Sequence, residues 1–104
     1  MAEIIIEEIQ WTESAKLSFS KIVAYLKENW TEREIAKFVK RTDEVLSTLK
    51  RYPEMCRPSL KRKYVRIALL NKHTQMVYHY KPGAKKIEVV LFWGMKQNQV
   101  KFRY

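Results

Sequence analysis

The apolar residues in the first half of the chain recur at intervals of three and four residues, the spacing of one face of an α-helix. Thr12 is a candidate N-cap of a first helix, and Thr31 with Glu34 has the spacing of a capping box for a second. Pro53 ends the second helix, and the short linker predicts an antiparallel hairpin. The two stripes are Ala15, Phe19, Ile22, Leu26 and Trp30, then Ile35, Phe38, Val39, Thr42, Val45, Leu46 and Leu49.

The apolar period changes to two in the second half of the chain. Segments 65–69, 76–80 and 87–93 alternate, with turn signals at 71–73 and at Pro82-Gly83, and predict an antiparallel meander. The β-branched segment 3–10 favours a short strand, although a helix start is compatible with it. We therefore expect one α+β domain over residues 1–104, of order β-α-α-β-β-β. Its helical hairpin would pack on one face of a small antiparallel sheet.

The alternation also predicts which side chains of the sheet face the helices. The more apolar set is expected to face inward, and the set that carries most of the charge is expected to face outward. The inward set is Val65, Ile67, Leu69, Met76, Tyr78, Ile87, Val89 and Leu91. The outward set is Arg66, His79, Lys81, Lys86 and Glu88.

Charge is distributed unevenly along the chain. The formal net charge is +10, yet residues 1–55 hold nine Lys/Arg and ten Asp/Glu, whereas residues 56–104 hold twelve Lys/Arg and one acid. This asymmetry favours a polyanionic or strongly acidic partner, and the alternative is a basic surface that only prevents self-association. The candidate contact residues are Arg57, Lys61, Arg62, Lys63, Lys81, Lys101, Arg103 and Tyr104.

Several classes of protein are excluded by composition. The single cysteine, Cys56, excludes an intramolecular disulfide, and with only two histidines it excludes a cysteine-rich zinc site. We expect neither a metal nor another cofactor. The apolar stretches are too short to span a bilayer, so no membrane partner is expected and the cytoplasm is the expected compartment.

Four strings, taken in order, resemble the RelE/ParE superfamily of bacterial toxins over nearly the whole chain. Residues 9–15 resemble the opening of these proteins, and residues 49–58 their proline-containing connection, with Cys56 in place of a glycine. Residues 76–78 resemble the central strand, and 87–96 the last strand with its glycine-basic turn. The long helical hairpin resembles the ParE branch.

The resemblance implies a toxin of a type II toxin–antitoxin pair, neutralised by an acidic cognate antitoxin. ParE-like members inhibit DNA gyrase, whereas RelE-like members cleave mRNA in the ribosomal A site. We expect the ParE-like mode, a growth inhibitor that acts on DNA gyrase. The alternatives are a ribosome-dependent mRNA endonuclease and a non-toxic relative that only binds its antitoxin or nucleic acid.

The endonuclease alternative has its own candidate residues. Lys96 falls at the basic turn of the family, and Arg66 is the nearest strand arginine; such cations would stabilise a charged phosphorane. His79 is a candidate general acid or base, because histidine side chains commonly transfer protons near neutral pH, and the alternative is a structural role. Phe102 stands roughly where some relatives have a tyrosine, which disfavours cleavage.

Overall fold

The computed structural model describes residues 6–81 and 83–94. Its elements are β1 Glu8–Trp11, α1 Glu13–Asn29, α2 Glu32–Arg51, β2 Arg57–Pro58, β3 Val65–Asn71, β4 Thr74–Tyr80 and β5 Lys86–Gly94. The strands form one sheet of order β1-β5-β4-β3-β2, in which β1 is parallel to β5 and the other pairs are antiparallel. The predicted α+β class and the order β-α-α-β-β-β are confirmed. The sheet is mixed, and the two-residue β2 is an addition to the prediction.

Thr12 joins the start of α1 to the sheet. Its hydroxyl accepts a hydrogen bond from Ala15 N at 3.0 Å, as an N-cap should, and donates to Val90 O at 2.9 Å. Its backbone N–H donates to Val89 O at 3.0 Å. One residue therefore caps the helix and fixes the helix start against β5.

The predicted capping box of α2 is wrong in its hydrogen bonds. Thr31 is the N-cap residue, but its side chain makes no capping hydrogen bond. Its backbone carbonyl accepts from Glu34 N at 3.0 Å, and the Glu34 carboxylate lies 3.7 Å from Lys37 Nζ. The glutamate side chain therefore faces along the helix toward the lysine. The helix ends at Arg51, shortly before Pro53, as predicted.

Aromatic rings form the centre of the core between the hairpin and the sheet. Phe19 of α1 stacks on Phe38 of α2 with ring centroids 5.2 Å apart, which shows that the helices fold back on each other. Phe92 of β5 lies 5.1 Å from Phe19 and 5.1 Å from Trp11 of β1. Rings at these separations add to the energy of burial, so this cluster connects both helices to the middle of the sheet.

The predicted inward set is correct for β4 but wrong for β3. Met76 and Tyr78 belong to the helix-facing core, together with Ala68 and Leu70 of β3. Val65 and Ile67 instead form a cluster with Val77 on the other side of the sheet, and Leu69 is 57 % exposed. Both alternating sets of β3 are apolar enough to be buried, so the register with β4 decides which set faces the helices.

A β-bulge shifts the phase of β5. Val77 pairs with Leu91 and Tyr78 with Val89, so Val90 has no cross-strand partner on β4. Val89 consequently faces the helices as predicted, whereas Val90 and Leu91 pack on the outer cluster and Phe92 returns to the core. The inward prediction for Leu91 is therefore wrong because a simple alternation cannot include the extra residue.

Candidate functional site

Exposed cations gather around the β2–β3 connection at one end of the sheet. Lys61, Arg62 and Lys63 are all exposed, and Ser59 Oγ accepts from the backbone N–H groups of Lys61 and Arg62 at 3.1 Å each. This Ser59 turn fixes the backbone that carries the cations. Exposed Arg57 lies on β2, and exposed Lys81 follows β4. The predicted residues Lys96, Lys101, Arg103 and Tyr104 lie outside the described residues.

Arg66 does not face outward as predicted. It pairs directly with Tyr78, a core residue, and is therefore on the helix-facing side of the sheet. Its Nη1 donates to Glu54 O at 3.1 Å and to Cys56 O at 2.7 Å. Because Arg66 is the second residue of β3, its side chain lies near the segment that follows α2 and can reach these two carbonyl groups. The guanidinium thus holds the connection between α2 and β2.

Tyr78 and Cys56 belong to the same structural cluster. The Tyr78 hydroxyl is buried and donates to Pro53 O at 2.8 Å. Burial raises the pKa of Tyr78 strongly, and the neighbouring Cys56 adds to that shift. Burial also raises the pKa of the Cys56 thiol, against the opposing effects of Tyr78 and Arg66. The thiol is consequently protonated at neutral pH, which does not suit a nucleophile.

His79 lies on the outer face of the sheet, as predicted. It pairs across the strands with Val65 on one side and with Glu88 on the other, and its Nδ1 is 3.9 Å from Glu88 Oε1. The two side chains line an open cavity of about 490 Å³ together with Arg62, Lys63, Val65 and Val90. The polar part of the outer face is therefore next to the exposed cations.

The sheet separates the two described catalytic candidates. Arg66 pairs with Tyr78, and the next residue of β4, His79, points to the opposite face. Between His79 and the far end of the sheet, the outer face is formed by the apolar cluster of Val65, Ile67 and Val77, with Val90 and Leu91 against it. The structure therefore brings Arg62 and Lys63 near His79, and does not bring Arg66 to it.

A second cavity, of about 320 Å³, was not expected from the sequence. Three cations, Arg62, Lys63 and Arg66, line it together with Glu54, Pro58, Ser59, Tyr64, Val65 and Tyr80. Tyr80 is 3 % exposed, and its pKa is raised by burial and by the charge of Glu54, against the effect of Arg66. The predicted inward set of this strand contains Met76 and Tyr78 but not Tyr80, so neither the burial of Tyr80 nor the charged groups near its hydroxyl were expected from the sequence.

The described part of the chain offers no metal centre. Within residues 6–81 and 83–94, no three His, Cys, Asp or Glu side chains are grouped so that they could hold a metal ion. None of the helices described there is long and apolar enough to cross a membrane.

The sequence also matches a known protein family over most of the chain. Residues 9–98 match the family described as the ParE toxin of the type II toxin–antitoxin system, parDE. The chain belongs to the ParE toxin family. The resemblance to the RelE/ParE superfamily is thereby confirmed, and the chain is a type II toxin–antitoxin toxin of that superfamily.

Solved structures share the fold of this ParE-family chain at low sequence identity. The chromosomal ParDE toxin–antitoxin system from P. aeruginosa matches with a TM-score of 0.67 and 16% identity, over 84% of this chain and 94% of that chain. The YoeB/ParE toxin from Agrobacterium tumefaciens gives 0.60 and 17%, over 84% and 96%. The toxin–antitoxin complex RelBE2 from Mycobacterium tuberculosis gives 0.60 and 14%, over 90% and 97%. A comparison with curated protein sequences gave no significant match.

Proposed function

We propose that this ParE-family toxin inhibits growth by binding DNA gyrase without cleaving nucleic acid, and that an acidic cognate antitoxin neutralises it. The family match supports the ParE-like mode over the RelE-like one. The observation that carries the proposal is the match of residues 9–98 to the ParE toxin family, and the separation of Arg66 from His79 by the sheet supports it. Cleavage would require cations and a proton-transfer group to converge on one phosphate.

The position of Arg66 is the first argument against an endonuclease. One nitrogen of its guanidinium is already bound to two backbone carbonyls, which makes Arg66 a structural residue of the α2–β2 connection. A catalytic arginine would have to direct its donors to the substrate. Arg66 lies on the helix-facing side of the sheet, whereas a long polymer would need an open face to reach the candidate histidine.

The apolar outer face is the second argument. The strand positions beside His79 and beyond it are Val65, Ile67 and Val77, which are buried in a cluster of their own. Side chains of this kind offer no donors to a pentavalent phosphate. They are suited to packing, so the outer face supports binding of a protein better than phosphoryl chemistry.

The exposed cations support an acidic partner. Lys61, Arg62 and Lys63 are presented by a fixed turn, and Arg57 and Lys81 lie on neighbouring segments. Electrostatic attraction by such a group accelerates association with acidic surfaces and weakens with salt. The similar P. aeruginosa and M. tuberculosis structures are toxin–antitoxin assemblies, which supports a cognate antitoxin for this chain.

A gyrase supercoiling assay with purified toxin tests the proposal. We expect inhibition that is relieved by the antitoxin encoded beside the toxin gene, and we expect the triple variant Lys61→Gln, Arg62→Gln, Lys63→Gln to inhibit more weakly. The matched control removes the same charge from exposed positions of α1, as Lys16→Gln, Lys21→Gln, Lys27→Gln. Undiminished supercoiling at every toxin concentration would refute gyrase as the target.

Primer extension on translated mRNA distinguishes the endonuclease alternative. Under our proposal, the cleavage map of cells that express the toxin is the same as that of uninduced cells. Cuts in phase with codons that disappear on His79→Gln would instead establish the RelE-like mode. Unaffected growth without antitoxin, together with retained antitoxin binding, would establish the non-toxic alternative.

A further inference from the structure

The cavity of about 320 Å³ beside the β2–β3 connection contains a buried polar atom that the fold leaves unsatisfied. Tyr80 is 3 % exposed, and among the residues described its hydroxyl oxygen has no hydrogen-bond partner. A buried hydroxyl without a partner costs about 1–3 kcal/mol. The neighbouring Tyr78 hydroxyl is also buried, but it donates to Pro53 O at 2.8 Å. The described residues therefore supply a hydrogen-bond partner for the hydroxyl of Tyr78 but not for that of Tyr80.

The surroundings of the Tyr80 hydroxyl define the ligand that would satisfy it. Arg66, Glu54 and Tyr80 all line the cavity, which places the three side chains around one space. Burial raises the pKa of Tyr80, the charge of Glu54 adds to that shift, and Arg66 opposes it. The Arg66 guanidinium is held in a fixed orientation by its bonds to Glu54 O and Cys56 O. Lys63 lies 5.1 Å from the centre of the Tyr64 ring, at the rim. The cavity thus offers several donors and a single carboxylate acceptor.

Because hydrogen-bond donors outnumber the acceptor, the cavity suits an oxyanion as its ligand. The Glu54 carboxylate limits which oxyanions can bind. A fixed guanidinium, an ammonium group and a phenol all donate to anionic oxygens. The Glu54 carboxylate would repel an anion that has no proton, but it would accept a hydrogen bond from one that has a proton. Inorganic phosphate retains a proton at neutral pH, because its last pKa lies far above neutrality, whereas a phosphate monoester retains one only below its second pKa of about 6. Sulfate and an internal phosphodiester have none to donate.

We propose that this cavity binds a protonated phosphate, either inorganic phosphate or the phosphate monoester of a nucleotide, through Arg66, Tyr80, Lys63 and Glu54. Arg66 and Lys63 neutralise its charge, the Tyr80 hydroxyl donates to one oxygen, and Glu54 accepts the proton of the phosphate. This site does not depend on the proposed inhibition of gyrase. It lies on the other side of residues 62–65 from the cavity that contains His79.

Titration of the isotope-labelled full chain, followed by the backbone amide resonances, tests the site. Sodium phosphate is added at pH 6.5 and constant ionic strength, and sodium sulfate is titrated in parallel. We expect saturable shifts for residues 54–66 and Tyr80, with a dissociation constant of about 1 mM, and much weaker shifts with sulfate. Absence of saturable shifts, or equal affinity for sulfate and phosphate, would overturn the proposal.

Two substitutions identify the groups that bind. Tyr80→Phe removes only the hydroxyl and should weaken phosphate binding by about tenfold, the effect of one hydrogen bond to a charged group. Tyr25→Phe removes the hydroxyl of an exposed tyrosine on α1 and should leave binding unchanged. Glu54→Gln should increase sulfate affinity and so reduce the preference for phosphate. Equal phosphate affinities of Tyr80→Phe and Tyr25→Phe would refute the role of the phenol.

A third arm distinguishes the two sources of phosphate. Adenosine monophosphate that binds more tightly than inorganic phosphate at pH 6, with additional shifts at Tyr64, would identify a nucleotide. Equal or weaker binding would identify the free ion. Should Tyr80→Phe fail to fold, Lys63→Gln replaces it, because Lys63 is exposed and its loss leaves the core intact. Phosphate binding unaffected by Lys63→Gln would then contradict the site.

Discussion

The two faces of the sheet place their charged side chains in different surroundings. The helix-facing side buries large rings and also holds Arg66, whose charge is used to bind two backbone carbonyls. The outer side buries a smaller cluster of Val65, Ile67 and Val77, and beside it presents the partly exposed pair of His79 and Glu88. A cation on a strand is therefore not by itself a sign of a functional surface. The face on which the cation lies decides which groups it meets.

The largest expected difference between the faces is in packing energy. Phe92→Ala removes a ring that contacts Trp11 and Phe19, and it should lower the free energy of unfolding by about 3–5 kcal/mol. Val77→Ala, at a fully buried position of the outer cluster, should cost only about 2 kcal/mol. Urea unfolding of both variants measures the difference. Equal losses would show that the two clusters stabilise the fold equally.

Arg66 should behave as a residue of the fold. Arg66→Gln removes a cation from the carbonyls of Glu54 and Cys56, and we expect unfolding free energy to fall by about 2 kcal/mol. Arg62→Gln removes the same charge from an exposed position and serves as the matched control, with a change below about 0.5 kcal/mol. The denaturant concentration at the midpoint of unfolding, measured for both variants, gives the two changes in stability. A stability of Arg66→Gln equal to that of Arg62→Gln would contradict the structural role.

Alkaline pH should destabilise the helix-facing side selectively. The pKa of Tyr78 is raised in the folded chain, so its phenol is neutral in both states below about pH 10, and above that pH the unfolded chain ionises first. Unfolding free energy should therefore be lost as pH rises above 10, at up to about 1.4 kcal/mol per pH unit for this group. The pKa of Tyr80 is also raised in the folded chain, so this group should likewise lower the free energy of unfolding at alkaline pH.

The variant Tyr78→Phe isolates that contribution. Its unfolding free energy should be lower at pH 8, because the bond to Pro53 O is lost, but it should fall less steeply between pH 10 and 11. Chemical unfolding at several pH values gives both slopes. Tyr25→Phe, which alters an exposed tyrosine, should retain the steep slope of the unmodified chain. Identical slopes for Tyr78→Phe and the unmodified chain would exclude Tyr78 as the source.

The smallest effect is expected for the ion pair of the outer face. His79 Nδ1 and Glu88 Oε1 are 3.9 Å apart, and both side chains are partly exposed to solvent. Pairs of this kind contribute about 0–1 kcal/mol and are screened by salt. Glu88→Gln should therefore change the unfolding free energy by less than about 1 kcal/mol, as measured by thermal melts. A larger loss would mean that the outer face also depends on charge for its stability.

The two helices and the longer strands could be predicted from the sequence because their signals are local, whereas the two-residue β2 could not. Thr12 and Pro53 mark helix limits, and the alternation of Met76 and Tyr78 gives the correct phase of β4. The phase of β3 could not be predicted, because Val65 and Leu70 belong to alternating sets of similar polarity and the choice depends on pairing with β4. The bulge at Val90 likewise depends on pairing, in this case that of β5 with β4.

The candidate site was predicted only in part, for a related reason. Clustering of Lys61, Arg62 and Lys63 is visible in the sequence because these residues are consecutive. The cavity that joins Glu54, Arg66 and Tyr80 depends on three segments that meet only in the folded chain. Residue type alone could not show that a phenol in an apolar strand would lie beside an arginine and a glutamate.

The parallel pairing of β1 with β5 has a consequence for synthesis of the protein. Thr12 and its helix are anchored on Val89 and Val90, which leave the ribosome long after them. Until then a nascent chain has α1 and α2 without the strand on which α1 packs, and such non-local contacts are slow to form. Translation that stops after β4 would therefore release an incomplete sheet. The toxin therefore acquires its fold only after β5 has been synthesised.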